Sequence, residues 1–369
     1  MYKILIGLFL SVLCLQAKCQ MQFDEGSFSE VLAKAKQEKR MVFMDCYTSW
    51  CGPCKMMIQD VFSQEDVGQF MNTRFVNVKL DMEKGEGREL AKKYQVKVYP
   101  TFLILNEDGE VIHKMVGGMK AEEFLQNVQN GIGEHSLYSY EKRYADGERD
   151  PQFVYSYIET LARAFMKERM EEVLHEYWGT LTDQEKSCKE NWMLVKRFVK
   201  NPALPEYKYF LEHKKDFDAA VSKDSVDRKI YDDLFPLIVN DCNEIIFHDK
   251  VNALQLLDTY KTSVTQSGIA GQDYLLDIVK FTRAFLSGDL KKALKMYDKK
   301  FSRLDSDARF DVTLQLNGML IRKGDAKMCE RGLKLIERTM KDCGWSEDNP
   351  LFAAVVSGLK DKFKDDKDE

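Results

Sequence analysis

The chain has 369 residues, 44% of them hydrophobic and 31% charged, with a formal net charge of −5. Interspersed charges and a mildly acidic balance leave no electrostatic footprint for nucleic acid. The length predicts two domains, or one domain and an array, at roughly 100–200 residues each.

The N-terminus carries one basic residue, Lys3, and then an apolar run from Ile4 to Leu15. That run is shorter than the roughly 20 residues a bilayer requires and fits the apolar core of a cleavable signal peptide over residues 1–19, with a retained membrane anchor or a buried helix as the alternative. Ala17 and Cys19 stand three and one residues before a cut that leaves Gln20 first. A lipoprotein leader is disfavoured, because Leu13 precedes Cys14 and Lys18 precedes Cys19. Cleavage would leave a net charge of −7 and seven cysteines. No later segment is long and apolar enough to cross a membrane. The expected location is the periplasm or another exported compartment, without stable membrane insertion after cleavage.

From Phe28 to Asn130, helix and strand signals alternate. Residues 28–39 place Phe28, Val31, Leu32 and Ala35 on one helical face. Residues 41–47, "MVFMDCY", form a short apolar run that fits a buried central strand. Residues 54–62 are helical, and "SQED" (63–66) has the pattern of a capping box that restarts a helix through Phe70. A strand is predicted over 74–81 and a short helix over 87–94. Residues 101–106 and 111–117 flank Asp108-Gly109, a hairpin signal. A helix over 120–130 closes the domain, ended by Gly131.

After Gly133 the pattern is helical to the end, with a charged tail from about residue 360. Residues 161–178 align without gaps on 281–298. Residues 316–340 repeat the Gly288-Asp289 turn at Gly324-Asp325, an offset of 36 residues. That offset is near the 34-residue helical-hairpin repeat, although the full consensus is missing. An irregular α-helical domain is the plain alternative. The division expected is residues 20–133 and 134–369. Cys188, Cys242, Cys329 and Cys343 have no metal-ligand spacing and read as buried or free thiols. Disulfides among them stay open in an oxidising compartment.

The chemistry lies in "SWCGPCK", residues 49–55. Disulfide exchange proceeds through a thiolate. Cys51, at a strand-to-helix turn, would sit at a helix N-terminus, where the dipole and free N–H groups favour the anion. Cys54, one turn later, can attack a mixed disulfide on Cys51. Pro53 falls in the first turn, where its missing N–H costs little. A fixed disulfide and half a zinc site are the alternatives, and a zinc ribbon would need a second Cys pair.

"VFMDCYTSWCGPCK" together with "VYPTFLIL" (98–105) closely resembles the thioredoxin family, over roughly Phe23 to Gln129. The resemblance implies an α/β thioredoxin fold, a central mixed sheet flanked by helices, followed here by an all-α helical-hairpin domain. It implies Cys51 as nucleophile, Cys54 as resolving thiol and Asp45 as the buried proton acceptor. It also implies a substrate surface from Trp50, Gly52, Pro53, Tyr99, Pro100 and Thr101, with Pro100 in the cis form, and no cofactor or metal. The family's lysine partner to the buried acid corresponds to Asn77 in this reading, and its tryptophan two residues after that acid to Tyr47. Cys46, opposite in direction to Asp45, is expected in the core.

The resulting expectation is a thiol–disulfide oxidoreductase that reduces or isomerises disulfides of exported proteins. Its partners would be protein disulfide substrates and a membrane thiol electron donor. Gly-Pro between the cysteines goes with reductants in the family. The gap between thioredoxin and protein disulfide isomerase is about 4 kcal/mol for a two-electron couple. A second reading makes the chain a protein-binding adaptor whose helical domain is primary. The intact cysteine pair, Asp45 and Pro100 argue against it, since a scaffold needs none of them.

Overall fold

Four strands build the sheet: β1 (Met41–Tyr47), β2 (Phe75–Asp81), β3 (Thr101–Leu105) and β4 (Val111–Val116). Their order is β2-β1-β3-β4. β1 runs parallel to β2 and antiparallel to β3, and β3 is antiparallel to β4. This is the mixed sheet expected, flanked by helices, and the fold is that of thioredoxin. The computed structural model describes residues 20–241, 250–301, 306–346, 353–354 and 356–361. The expected leader (1–19), Cys242 and the tail beyond residue 361 lie outside the described residues. Among those described, no helix is long and apolar enough to cross a membrane.

Alternation along β1 sorts its side chains to two faces. Val42, Met44 and Cys46 pack with Phe28, Val31 and Ala35 of α1 (Phe28–Glu38) and with Leu90 of α4 (Gly87–Lys93). Phe43 faces the other way, into a cluster with Phe62, Phe102 and Phe124. Phe43 stacks on Phe102 with centroids 5.8 Å apart, and meets Phe124 edge-on at 5.7 Å. Each fully buried phenylalanine contributes on the order of 1.5–3 kcal/mol, so this cluster fixes the helices that carry the site.

The active-site helix α2 begins at Gly52 and changes to π geometry over Met57–Val61. That change is invisible in the apolar pattern of 54–62. The capping box expected at 63–66 does not form. Ser63 Oγ donates instead to Gln59 O at 2.6 Å, and Asp66 accepts from the adjacent Val67 N at 2.8 Å. α3 starts at Glu65 without a side-chain cap and runs on to Arg74, past Phe70. A capping box does form at α1, between Ser27 and Glu30. α5 (Ala121–Gly131) contains Gly131 rather than ending before it. A Cβ there would lie 2.6 Å from His113 Cδ2, so glycine serves close packing. The chain near Asp24 bridges Val78 in parallel, an element the sequence reading did not include.

The chain divides into two compact units between Thr180 and Leu181. The first thus includes α6 (Leu137–Ala145), α7 (Pro151–Arg163) and α8 (Lys167–Thr180), beyond the expected boundary at residue 133. Leu137 N, at the start of α6, donates to His113 Nδ1 of β4 at 3.2 Å. Tyr140 of α6 stacks on Tyr157 of α7 at 5.8 Å.

The second unit is helical throughout its described residues. Its two Gly-Asp turns share one local geometry. Asp289 caps helix Leu290–Lys300 through Lys292 N at 3.0 Å, and Asp325 caps Ala326–Cys343 through Met328 N at 2.8 Å. The gapless alignment of 161–178 does not hold in space. α7 ends at Arg163, whereas the helix aligned with it continues to Leu286. Phe165 is accordingly 62% exposed while Phe285 is buried. Cys46 and Cys329 are buried, Cys188 and Cys343 are half-buried, and none of the four forms a disulfide among the described residues.

Candidate active site

β1 delivers the chain to the site through a tight turn, in which Cys51 N donates to Thr48 O at 3.2 Å. Cys51 is the N-cap of α2, and its Sγ accepts from Cys54 N at 3.1 Å. A sulfur held there faces N–H groups that no earlier turn satisfies. Cys51 and Cys54 are joined, with an S–S distance of 2.03 Å. Both are almost fully buried, while Gly52 and Pro53 are exposed.

The predicted substrate residues come together on either side of this turn, with one exception. Trp50 is 65% exposed, donates from Nε1 to Glu83 Oε2 at 3.0 Å and lies edge-on to Tyr99 at 6.1 Å. The Tyr99–Pro100 peptide bond is cis. Pro100 O accepts from Gly117 N at 2.9 Å. Thr101 is the exception: it is fully buried, and its hydroxyl donates to Val98 O at 2.8 Å. Its side chain therefore lies inside the loop and not on the surface. Two features went unread in the sequence. Glu83 holds Trp50, and Gly118 closes the loop after β4 onto the active-site helix. A Cβ at Gly118 would lie 2.8 Å from Met56 Cε and 3.3 Å from Pro53 Cβ. The Gly117-Gly118 pair was the available signal.

Asp45 shares the face of β1 that carries Phe43 and is 1% exposed. Neither carboxyl oxygen has a hydrogen-bond partner among the described residues. Burial pushes its pKa up to about 7, opposed by the charge of Lys79. Lys79 stands directly across from Asp45 in the β1–β2 register, which corrects the assignment to Asn77. Asn77 lies opposite Phe43, and its Nδ2 donates to Gln22 O and Asn72 Oδ1, both at 3.1 Å. Its work is to tie down the segment before α1. Tyr47 is half-buried at the end of β1. Cys46 turns to the opposite face, where burial holds its thiol well above the ordinary range.

Known proteins are similar to the part of the chain that builds this site. Residues 28–132 match the family profile described as a thioredoxin-like domain. A thioredoxin-like protein of Synechocystis is 34% identical over 104 residues, 28% of this chain and 90% of that protein. Chloroplastic thioredoxin Y of rice is 30% identical over 107 residues, and the match spans 29% of this chain and 58% of that protein. A solved Bacteroides thetaiotaomicron protein, described as a candidate disulphide-isomerase, is 48% identical over 31% of this chain and 93% of its own, with a TM-score of 0.29.

Proposed function

The chain belongs to the thioredoxin family, and on that premise we propose that its dithiol reduces or isomerises disulfides of exported proteins. Cys51 thiolate attacks one sulfur of a client disulfide, forming a mixed disulfide and releasing the other client sulfur as a thiolate. Cys54 loses its proton, attacks Cys51 and releases the second client thiol, leaving the Cys51–Cys54 disulfide. Two electrons pass from the protein to the client. A membrane thiol donor restores them in the periplasm or other exported compartment.

One observation carries this reading: the buried Asp45 carboxyl with no partner for either oxygen. A lone buried carboxyl is costly to a structural domain, and with a pKa near 7 it suits uptake of the Cys54 proton. Trp50, Gly52, Pro53, Tyr99 and Pro100 form the client surface in this reading. The helices from Leu181 onward, with their capped Gly-Asp turns, would form a repeat-like array that selects clients.

Thiol-dependent insulin reduction tests the chemistry. Cys51→Ser should abolish it, and a Cys51→Ser protein with unchanged activity would leave the adaptor reading instead. Cys54→Ser should accumulate mixed disulfides on Cys51 in cells and thereby identify the clients. A chain ending at Thr180 should keep insulin reduction but trap a broader set of proteins. An identical trapped set would remove client choice from the helical unit.

A further inference from the structure

The first unit contains a cleft that the dithiol chemistry leaves unused. Strand β4 is an edge of the sheet. Gly117 N donates to Pro100 O, and Asn106 N to Glu110 O at 3.0 Å. Bonded and non-bonded pairs alternate along an antiparallel ladder. With Phe102 opposite Met115, that alternation turns the N–H and C=O groups of Lys114 and Val116 away from β3. No strand lies on that side, and neither N–H has an acceptor among the described residues.

A cleft of about 600 Å³ opens against this edge. β4 from His113 to Val116 forms one wall, and Thr160 and Arg163 of α7 form another, with Phe165 at the cleft. Phe165 is a non-glycine residue at φ +54°, outside the usual range for a bulky side chain. That backbone ends α7 early and leaves the ring 62% exposed.

We propose that this cleft binds an extended segment of the disulfide client, added to β4 as a further strand. The proposal rests on the client-reducing function above and supplies the mode of recognition. Outward N–H and C=O groups at alternate residues complement an extended peptide backbone and little else. Four residues of β4 give a seat of about 13 Å at ~3.4 Å per residue. Phe165 offers an apolar contact to one side chain of the added strand. The seat is also continuous with the reactive site. Val116 leads to Gly117, bonded to Pro100, and to Gly118, packed against Pro53 and Met56. A client chain held on β4 therefore has its neighbouring cysteine led towards Cys51, so that reduction depends on the sequence flanking the disulfide.

Two measurements on the full chain test this. In the first, the oxidised protein is mixed with excess of a cysteine-free, Val/Thr-rich linear peptide of about 12 residues. Amide exchange at Lys114 and Val116 should slow by about tenfold or more, while Met115, already bonded to β3, should not change. Unchanged exchange at Lys114 and Val116 would overturn the proposal. In the second, that peptide is given one terminal cysteine, carried as a glutathione mixed disulfide, and its reduction is compared with reduction of glutathione disulfide. Thr160→Trp fills the cleft, and Phe165→Asn removes the ring while tolerating the left-handed backbone. Both should lower kcat/KM for the peptide, Thr160→Trp by about tenfold, and leave glutathione disulfide unaffected. Equal effects on the two substrates, or none, would also overturn it. If the unaltered chain reduces neither disulfide, the redox reading fails, and amide exchange still decides the cleft.

Discussion

Each compact unit buries an aspartate, and the two are held in opposite ways. Asp233, in helix Lys223–Pro236, meets Lys229 one turn away at 2.5 Å, and Lys229 also donates to Val199 O at 2.8 Å. Burial lowers Lys229 and raises Asp233, and their mutual attraction opposes both shifts. Asp45 has no such bond: Lys79 is exposed and acts on it only through its charge. A buried pair satisfies itself and locks two turns of one helix to a neighbouring carbonyl. A lone buried carboxyl satisfies nothing, which fits the proton-acceptor role proposed for Asp45. The contrast separates architecture from chemistry without reference to the cysteines.

Breaking the pair should give the largest change in stability. Lys229→Met leaves Asp233 buried and unpaired, at a cost of about 3–5 kcal/mol. Replacing both, with Asp233→Leu, should recover most of that loss. Insulin reduction per folded molecule should be unchanged, because the cysteines lie in the other unit. Denaturant melts of the single and double variants check this, and a single variant as stable as the parent would show the pair to be idle.

Asp45→Asn should act in the reverse sense. The folded pKa is raised from 3.8 to about 7. The unfolded chain therefore releases this proton first, and the penalty grows as pH rises from about 4 to about 7, then stays level. At pH 8 the substitution should stabilise the fold by up to about 4 kcal/mol. The same change should lengthen mixed-disulfide lifetimes by on the order of 10²-fold, since Cys54 loses its proton acceptor. Stability gained without slower resolution would deny Asp45 its role.

What could be read from the sequence follows the range of the forces involved. The apolar run of β1, the Asp108-Gly109 hairpin and the Cys-Gly-Pro-Cys turn are set by nearby residues, and all lie where expected. Spacing along the chain puts the family's lysine position at Asn77, and only the pairing of β2 with β1 reveals Lys79, two residues on and on the same face, as the residue across from Asp45. The box at Ser63 failed for a related reason. Ser63 Oγ reaches back to Gln59 O, the end of the π turn that brings Val61 and Phe62 into the core. Composition and helical periodicity group helices α6 to α8 with the C-terminal helices. Their place in the first unit rests on contacts such as Leu137 to His113, which no local pattern encodes.

That contact gives a smaller and pH-dependent effect. His113 is buried, which lowers its pKa to about 4 from 6.5, and its neutral Nδ1 accepts the Leu137 N–H. The unfolded chain takes up the proton first as pH falls. Stability from this group is thus complete above about pH 6.5 and is lost progressively towards pH 4, by up to about 3 kcal/mol. Thermal melts from pH 7 to pH 4 should show the loss in the parent and a flatter profile in His113→Gln. Parallel profiles for the two proteins would place the sensitivity elsewhere.

The smallest effect concerns the paired Gly-Asp turns of the second unit. Asp289 and Asp325 each satisfy one free N–H at the start of a helix. Alanine at either position should cost about 1 kcal/mol, the ordinary value for an N-cap. If the two hairpins stack as neighbouring repeats, loss at one should weaken the other. The double variant would then lose more than the two single losses together. Strict additivity in urea melts would mark two independent caps in an irregular helical unit, and the repeat-like reading of these helices would fall with it.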